Sequence, residues 1–320
     1  MAIELPWVEK YRPEKLGEVV GQKEAISRLQ SYVKKHNLPN MMFSGPAGIG
    51  KTSAAVALAK ELYGNEFGRN FMELNASDAR GIDVVRGQIK DFARTLAFGG
   101  DFKIIFLDES DALTSDAQHA LRRTMEKYTK TTRFILSCNY SSRIIEPIQS
   151  RCVVFRFRPL QAKEVEERLK EIVEKEKLEL DKKALEAIVY VSSGDMRKAV
   201  NVLQAAAALE SKVSEETVFG VSSRAKPAEI KEMILLALKG EFLEARNLLD
   251  KLMYEYGMSG EDVVRQVFRE AMDADEKEIP SKTKVALVDI IGEYDFRLVE
   301  GANERVQLEA MLAQFMKFKK

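Results

Sequence analysis

Gly45-Pro46-Ala47-Gly48-Ile49-Gly50-Lys51-Thr52 is the stretch that decides how this 320-residue chain is read. It has the spacing G-x-x-x-x-G-K-[ST], in which glycines let the backbone curl so that successive N–H groups point inward at a phosphate chain. Lys51 supplies a point charge for the β- and γ-phosphates, and the Thr52 hydroxyl supplies a ligand for Mg²⁺. The flanks agree. Asn40-Met41-Met42-Phe43-Ser44 is a short apolar run suited to a buried strand. Ser53 opens a strong helix former that runs to Leu62, and the dipole of that helix favours an anion at its N-terminus. The octapeptide is therefore expected to hold a nucleoside triphosphate. Lys51 is expected to be a solvated loop lysine whose loss spares the fold.

Composition narrows the class. The chain carries 50 basic and 50 acidic residues, so it has no general attraction to nucleic acid, and any such contact must come from a local patch. No apolar run approaches the roughly 20 residues needed to cross a bilayer, and nothing near Met1–Lys10 resembles a secretion signal. A soluble, intracellular protein is expected. The two cysteines, Cys138 and Cys152, are too few for a disulfide framework, lack a zinc spacing and sit in apolar runs, as small buried hydrophobes do.

Outward from the loop, short apolar runs alternate with helical stretches. The runs are Met41–Ser44, Asn70–Leu74, Lys103–Leu107, Arg133–Ser137 and Cys152–Phe157; helices are predicted near 51–63, 82–97, 115–128 and 144–149. Strands that read as continuous apolar runs are covered on both faces, so the class is α/β with a parallel sheet. Ahead of it, Ala25, Ile26, Leu29 and Val33 mark a helix within 22–36. Beyond Arg158-Pro159 no β-like run is expected. Helices are predicted at 161–177, 182–191 and 195–209, then, after a break around 222–227, at 228–239, 241–256, 260–272, 281–298 and 300–318. Three domains are expected: an α/β nucleotide-binding domain over 1–159, a small helical lid over 160–225 and an all-α module over 226–320.

Chemistry-bearing residues cluster at strand ends. Ile104–Leu107 leads into Asp108 and Glu109, the Walker B arrangement. Asp108 is placed to hold Mg²⁺ beside Thr52, and Glu109 to orient or deprotonate the attacking water. Asn139 ends the next apolar run and can hydrogen-bond a γ-phosphate or the water, although a turn-forming Asn is the plainer reading of that residue alone. Arg151 and Arg197 could stabilise charge developing in phosphoryl transfer, while spacing alone favours surface or salt-bridged arginines. Arg86, Lys90 and Arg94 recur every four residues on the predicted helix 82–97, with Arg80 just ahead, and form a basic ridge or simply a solvated face. Ile89, Phe92 and Leu96 of that helix are expected in the core.

These motifs together resemble the AAA+ ATPases. Pro6-Trp7-Val8-Glu9-Lys10-Tyr11-Arg12-Pro13, Asn75-Ala76-Ser77-Asp78, Ser150-Arg151-Cys152 and Gly194-Asp195-Met196-Arg197-Lys198-Ala199-Val200-Asn201 are similar to the boxes of the replication factor C small subunits, clamp-loader ATPases of archaea and eukaryotes. The resemblance runs from Leu5 past Asn201, and the helical tail matches that family's collar in kind. It implies a P-loop AAA+ sheet domain, a helical lid and an all-α collar.

The resemblance also implies roles. Residues 45–53, from Gly45 to Ser53, would cradle ATP with Mg²⁺; Asn139 looks like sensor 1 and Arg197 like sensor 2. Arg151 looks like an arginine finger acting in trans on a neighbour's nucleotide. Val8, Tyr11, Arg12 and Val20 would line the adenine pocket. Arg80, Arg86, Lys90 and Arg94 would track primer-template DNA, and Phe98 could touch the sliding clamp. The implied partners are a replication factor C large subunit, further small subunits, a clamp of the proliferating cell nuclear antigen type and DNA, with no membrane. The implied compartment is the cytoplasm of an archaeal cell, or the nucleus if the source is eukaryotic. Many relatives read Asp-Glu-Ala-Asp where this chain has Asp108-Glu109-Ser110-Asp111; both acids are kept, so hydrolysis is expected to survive. A threading motor would carry an aromatic at 76–81, where there is none; the bacterial loader carries a zinc module absent from this chain; intact Lys51, Glu109 and Arg151 argue against an inert scaffold.

Overall fold

The computed structural model describes residues 5–318 except 79 and 211. The ends of two expected domain spans, 1–4 and 319–320, and Ala79 of the 76–81 loop lie outside the described residues. The chain divides into two compact units, Met1–Lys212 and Val213–Lys320.

Unit 1 is built on a five-stranded sheet with strand order β2-β3-β4-β1-β5. Its strands are β1 (Met41–Ser44), β2 (Phe71–Asn75), β3 (Lys103–Asp108), β4 (Thr132–Cys138) and β5 (Val153–Arg156). Every pairing is parallel, with Phe43 opposite Ser137 on one side and Phe155 on the other. The apolar runs are continuous because both faces are covered. Met41 and Phe43 enter one core with Ile104 and Phe106, while Met42 enters the other with Ile105 and Leu107. The helix Lys51–Tyr63 buries Ala54 to Ala59 against the first face, small side chains that let it lie close on the sheet. β1 sits between β4 and β5, so the crevice for a ligand opens beyond the carboxyl ends of β1, β3 and β4, where the order reverses.

Three helices follow in unit 1: Ala162–Glu176, Lys182–Ser192 and Met196–Leu209. The first buries Val165, Leu169 and Ile172. Contrary to expectation, the chain does form extended structure after 159, the two-residue strands Glu179–Leu180 and Lys212–Val213. Each is too short to leave a periodic signature in the sequence.

Unit 2 is helical: Glu215–Ser222, Pro227–Lys239, Phe242–Tyr254, Gly260–Asp273, Ser281–Val299 and Glu304–Phe315. Its core joins Ile230, Ile234, Leu252, Val267, Leu287 and Phe315. Sequence periodicity missed Glu215–Ser222 because eight residues give barely two turns. The local signal was Ser214, whose hydroxyl accepts the Thr217 N–H at 3.2 Å as an N-cap. Among the described residues no helix is long and apolar enough to cross a membrane.

Candidate functional site

The loop after β1 and the strand ends beside it line an open cleft. Gly48 shows why the loop needs glycine. Its φ is +70°, and a Cβ there would stand 1.8 Å from Asp195 Oδ1. The Gly48 carbonyl accepts the Met196 N–H at 2.9 Å, so the loop is fastened backbone to backbone to the first turn of Met196–Leu209, with the Asp195 side chain packed against it. Gly45 is crowded in the same way: a Cβ would meet the Phe157 carbonyl at 2.3 Å.

Lys51 corrects the sequence expectation. It is 7% exposed rather than solvated. Its ammonium donates to the carbonyl of Gly45, to that of Pro46 at 2.6 Å and to Asn139 Oδ1 at 3.0 Å. Burial pushes its pKa below the ordinary lysine value; Asp108, Cys138 and Asp111 oppose that shift and Arg197 adds to it. A partly desolvated cation held by neutral oxygens is well placed to trade them for phosphate oxygens. Thr52 Oγ1 donates to Asp108 Oδ2 at 2.6 Å, which puts a hydroxyl and a carboxylate side by side. Two hard oxygen donors of this kind fit Mg²⁺.

Glu109 follows in a left-handed conformation, φ +51°, with its N–H on Asp108 Oδ1 at 2.9 Å, and its exposed side chain lines the cleft. A non-glycine residue in this region carries strain that turns Glu109 away from the strand direction. Asp111, to which sequence reading gave no role, accepts the N–H groups of Asn139 and Tyr140 at 3.2 and 3.1 Å and so fixes the end of β4. Ser110 is fully buried, and its hydroxyl donates to the Leu107 carbonyl at 2.8 Å. The added oxygen is therefore satisfied.

Of the nucleotide residues named from sequence, Val8, Tyr11, Arg12, Val20, Ala47 to Ser53, Asp108, Glu109, Asn139 and Arg197 line this one cleft. Gly45 and Pro46 are not in its wall and instead give their carbonyls to Lys51. Arg168 and Ile172 also line it, which sequence reading missed. Ile172 looked like part of an ordinary apolar stripe, and Arg168 like one charge among many on a solvated helix face.

Arg151 stands elsewhere. It is not part of the cleft wall; Nη2 pairs with Glu126 at 2.6 Å and Nη1 donates to the Pro147 carbonyl at 2.6 Å. The basic ridge is rearranged too. The predicted helix 82–97 ends at Ala93 and contains a π-helical stretch, Val85–Ile89, whose wider turn breaks the four-residue spacing. Arg86 and Lys90 share a groove with Arg123 and Lys127 of the helix Ser115–Lys127, which Asp116 and His119 also line. Arg94 does not line it and lies 3.6 Å from Asp91, while Arg80 Nε donates to the Ser77 carbonyl at 2.9 Å. Ile89 is buried and Phe92 packs partly against the core, but Leu96 is 79% exposed because the helix has already ended. Phe98 is exposed, under the Arg69 guanidinium at 4.4 Å. Cys138 is buried and Cys152 half-buried, both free thiols.

Three family models match the chain: "ATPase family associated with various cellular activities (AAA)" over residues 41–160, "RCF1/5-like, AAA+ ATPase lid domain" over 167–208 and "Replication factor C C-terminal domain" over 225–314. The replication factor C small subunit of Methanococcus maripaludis is 61% identical over 310 residues, 97% of this chain and 98% of that protein. Those of Archaeoglobus fulgidus and Methanothermobacter thermautotrophicus are 59% and 56% identical, over 96% and 97% of both chains respectively. Among solved structures, the Thermotoga maritima RuvB Holliday junction branch migration motor superposes with a TM-score of 0.56 at 16% identity, over 80% of this chain and 91% of its own. That likeness concerns the fold alone. The chain belongs to the replication factor C small-subunit family, and its fold is that of the AAA+ ATPases.

Proposed function

We propose that this member of the replication factor C small subunits is an ATPase subunit of a clamp loader. It would assemble with a large subunit and further small subunits, open a sliding clamp of the proliferating cell nuclear antigen type and load it onto primer-template DNA during replication. ATP hydrolysis on DNA engagement would then release the closed clamp. The setting would be the cytoplasm of an archaeal cell.

The observation that carries this reading is the convergence of Lys51, Thr52, Asp108, Glu109 and Asn139 in one cleft while Arg151 stands outside it. Lys51 would leave the Gly45 and Pro46 carbonyls to hold the β- and γ-phosphates. Thr52 and Asp108 would hold Mg²⁺, whose charge offsets that developing on the phosphoryl group. Glu109 would accept the proton of the attacking water, with Asn139 and Arg197 on the γ-phosphate. Arg151, half-exposed and held by a half-exposed Glu126, the Pro147 carbonyl and Ser150 Oγ, would swap Glu126 for a neighbouring subunit's nucleotide. Arg86, Lys90, Arg123 and Lys127 would grip the DNA backbone without reading sequence.

A mixing experiment tests the shared site. Arg151→Ala should bind ATP nearly as well as the parent and lose about a thousandfold in turnover, on the arginine-finger scale. Mixing it with Lys51→Ala should restore part of the activity, because some interfaces then pair an intact loop with an intact finger. Mixed rings that exchange subunits yet stay inactive would overturn the in-trans assignment.

A further inference from the structure

The segment from Leu5 to Glu18 contributes to the wall of the cleft, and its two ends are fastened to different parts of unit 1. At one end the Trp7 N–H donates to Gln204 Oε1 at 3.0 Å, and the Trp7 side chain is buried. Lys10 Nζ and Tyr11 Oη both donate to Glu176 Oε1, at 2.6 and 2.5 Å. Arg168 Nη2 donates to the Tyr11 carbonyl at 2.7 Å. All of these acceptors and donors lie on the helices Ala162–Glu176 and Met196–Leu209. At the other end the Leu16 N–H donates to Glu61 Oε1 at 2.7 Å and Lys60 pairs with Glu14 at 3.1 Å, both on the helix Lys51–Tyr63. Between the two anchorages Tyr11, Arg12 and Pro13 form cleft wall.

Glu176 is the knot of the first anchorage. Its side chain is only 14% exposed. It closes the last turn of its helix, where the dipole disfavours a carboxylate. The hydrogen bonds from Lys10 and Tyr11 nevertheless hold its pKa below the usual carboxylate range. It takes no part in the cleft wall itself.

We propose that Glu176 is a positioning residue that sets ATP affinity through Tyr11, holding the cleft wall Trp7–Pro13 without touching the nucleotide. This rests on the reading of the cleft as an ATP site. Removing Glu176 takes one acceptor from Lys10 and Tyr11, loosens the wall on the nucleoside side and leaves the phosphate loop as it was.

The test uses the full chain with ATP and with inorganic tripolyphosphate, which can occupy only the phosphate end. Glu176→Ala should weaken ATP binding about tenfold, the scale of one charge-assisted hydrogen bond, and leave tripolyphosphate binding unchanged. KM for ATP should rise by the same factor while kcat stays within about twofold, since the missing contact is one made equally before and during reaction. Glu176→Gln, which still accepts from Tyr11, should fall between parent and Glu176→Ala. Trp7, the one tryptophan of the chain, should shift its emission to the red in Glu176→Ala. Should Glu176→Ala not fold, Lys10→Ala removes one of the two donors and should move ATP affinity the same way by about threefold. Equal weakening of ATP and tripolyphosphate, or no change in either, would overturn the proposal. A parent that binds tripolyphosphate but not ATP would overturn the cleft reading, and the proposal with it.

Discussion

Replacing Gly48 by Ala probes how the phosphate loop is joined to the helix Met196–Leu209. The new Cβ would stand 1.8 Å from Asp195 Oδ1 and 2.1 Å from its Cγ, so Asp195 must swing away. That oxygen accepts the Lys198 N–H at 2.9 Å as the N-cap of the helix. Losing the cap costs about 1 kcal/mol. Holding Ala at a φ of +70° costs about 1 kcal/mol more. Gly48→Ala should therefore lose about 2 kcal/mol and Asp195→Ala, which loses only the cap, about 1 kcal/mol. The double variant has no cap left to displace, so it should lose about 2 kcal/mol rather than the additive value of about 3 kcal/mol. Urea unfolding followed by Trp7 fluorescence reads this out, because Trp7 is the sole tryptophan and lies in unit 1. A double variant that loses the full sum would refute the reasoning, since Asp195 would then not be what the Cβ displaces. A shallower loss of ATP affinity in Asp195→Ala than in Gly48→Ala is expected as well, because only the latter also strains the loop.

Three further outcomes are expected. Glu109→Gln should bind ATP normally yet turn over at least about a hundredfold more slowly, the scale of a lost general base; single-turnover hydrolysis at the parent rate would remove Glu109 from that role. Changing Arg86, Lys90, Arg123 and Lys127 together to Ala should weaken primed-DNA binding and flatten its salt dependence by roughly one unit of slope per lost phosphate contact, whereas Arg94→Ala alone should barely alter either. Burial pushes the Cys138 and Cys152 thiols up to about 11 and about 12, so at pH 8 the reactive thiolate is scarce. Iodoacetamide should leave both unmodified in the native chain and add two groups in denaturant; modification should begin only as pH rises toward those values, and rapid native labelling at pH 8 would contradict their burial.

The phosphate loop, the β3 acids and the strand-end Asn139 were legible in the sequence because each depends on local backbone. A glycine spacing sets a left-handed turn, an apolar run sets a strand, and a polar residue at its carboxyl end marks the crevice of a parallel sheet. For the same reason β1 and the helix Lys51–Tyr63 were read within a residue of their bounds. Where local signals were weak the reading faltered: the π-helical stretch Val85–Ile89 has no periodic signature, and so Leu96 was assigned to the core although its helix stops at Ala93. Other features depend on which distant segments meet. Lys51 reads as a loop lysine, yet it donates to the Gly45 and Pro46 carbonyls and to Asn139, 88 positions away, and its burial lowers its pKa. Arg123 and Lys127 join Arg86 and Lys90 only because two helices lie side by side. Glu176 gathers Lys10 and Tyr11 from the opposite end of unit 1, across 166 and 165 positions. Charged side chains on exposed helix faces look alike in a sequence; packing alone brings a particular donor within reach of a particular acceptor, and it is that distance, not the residue type, that gives Glu176 its grip and leaves Arg151 facing outward.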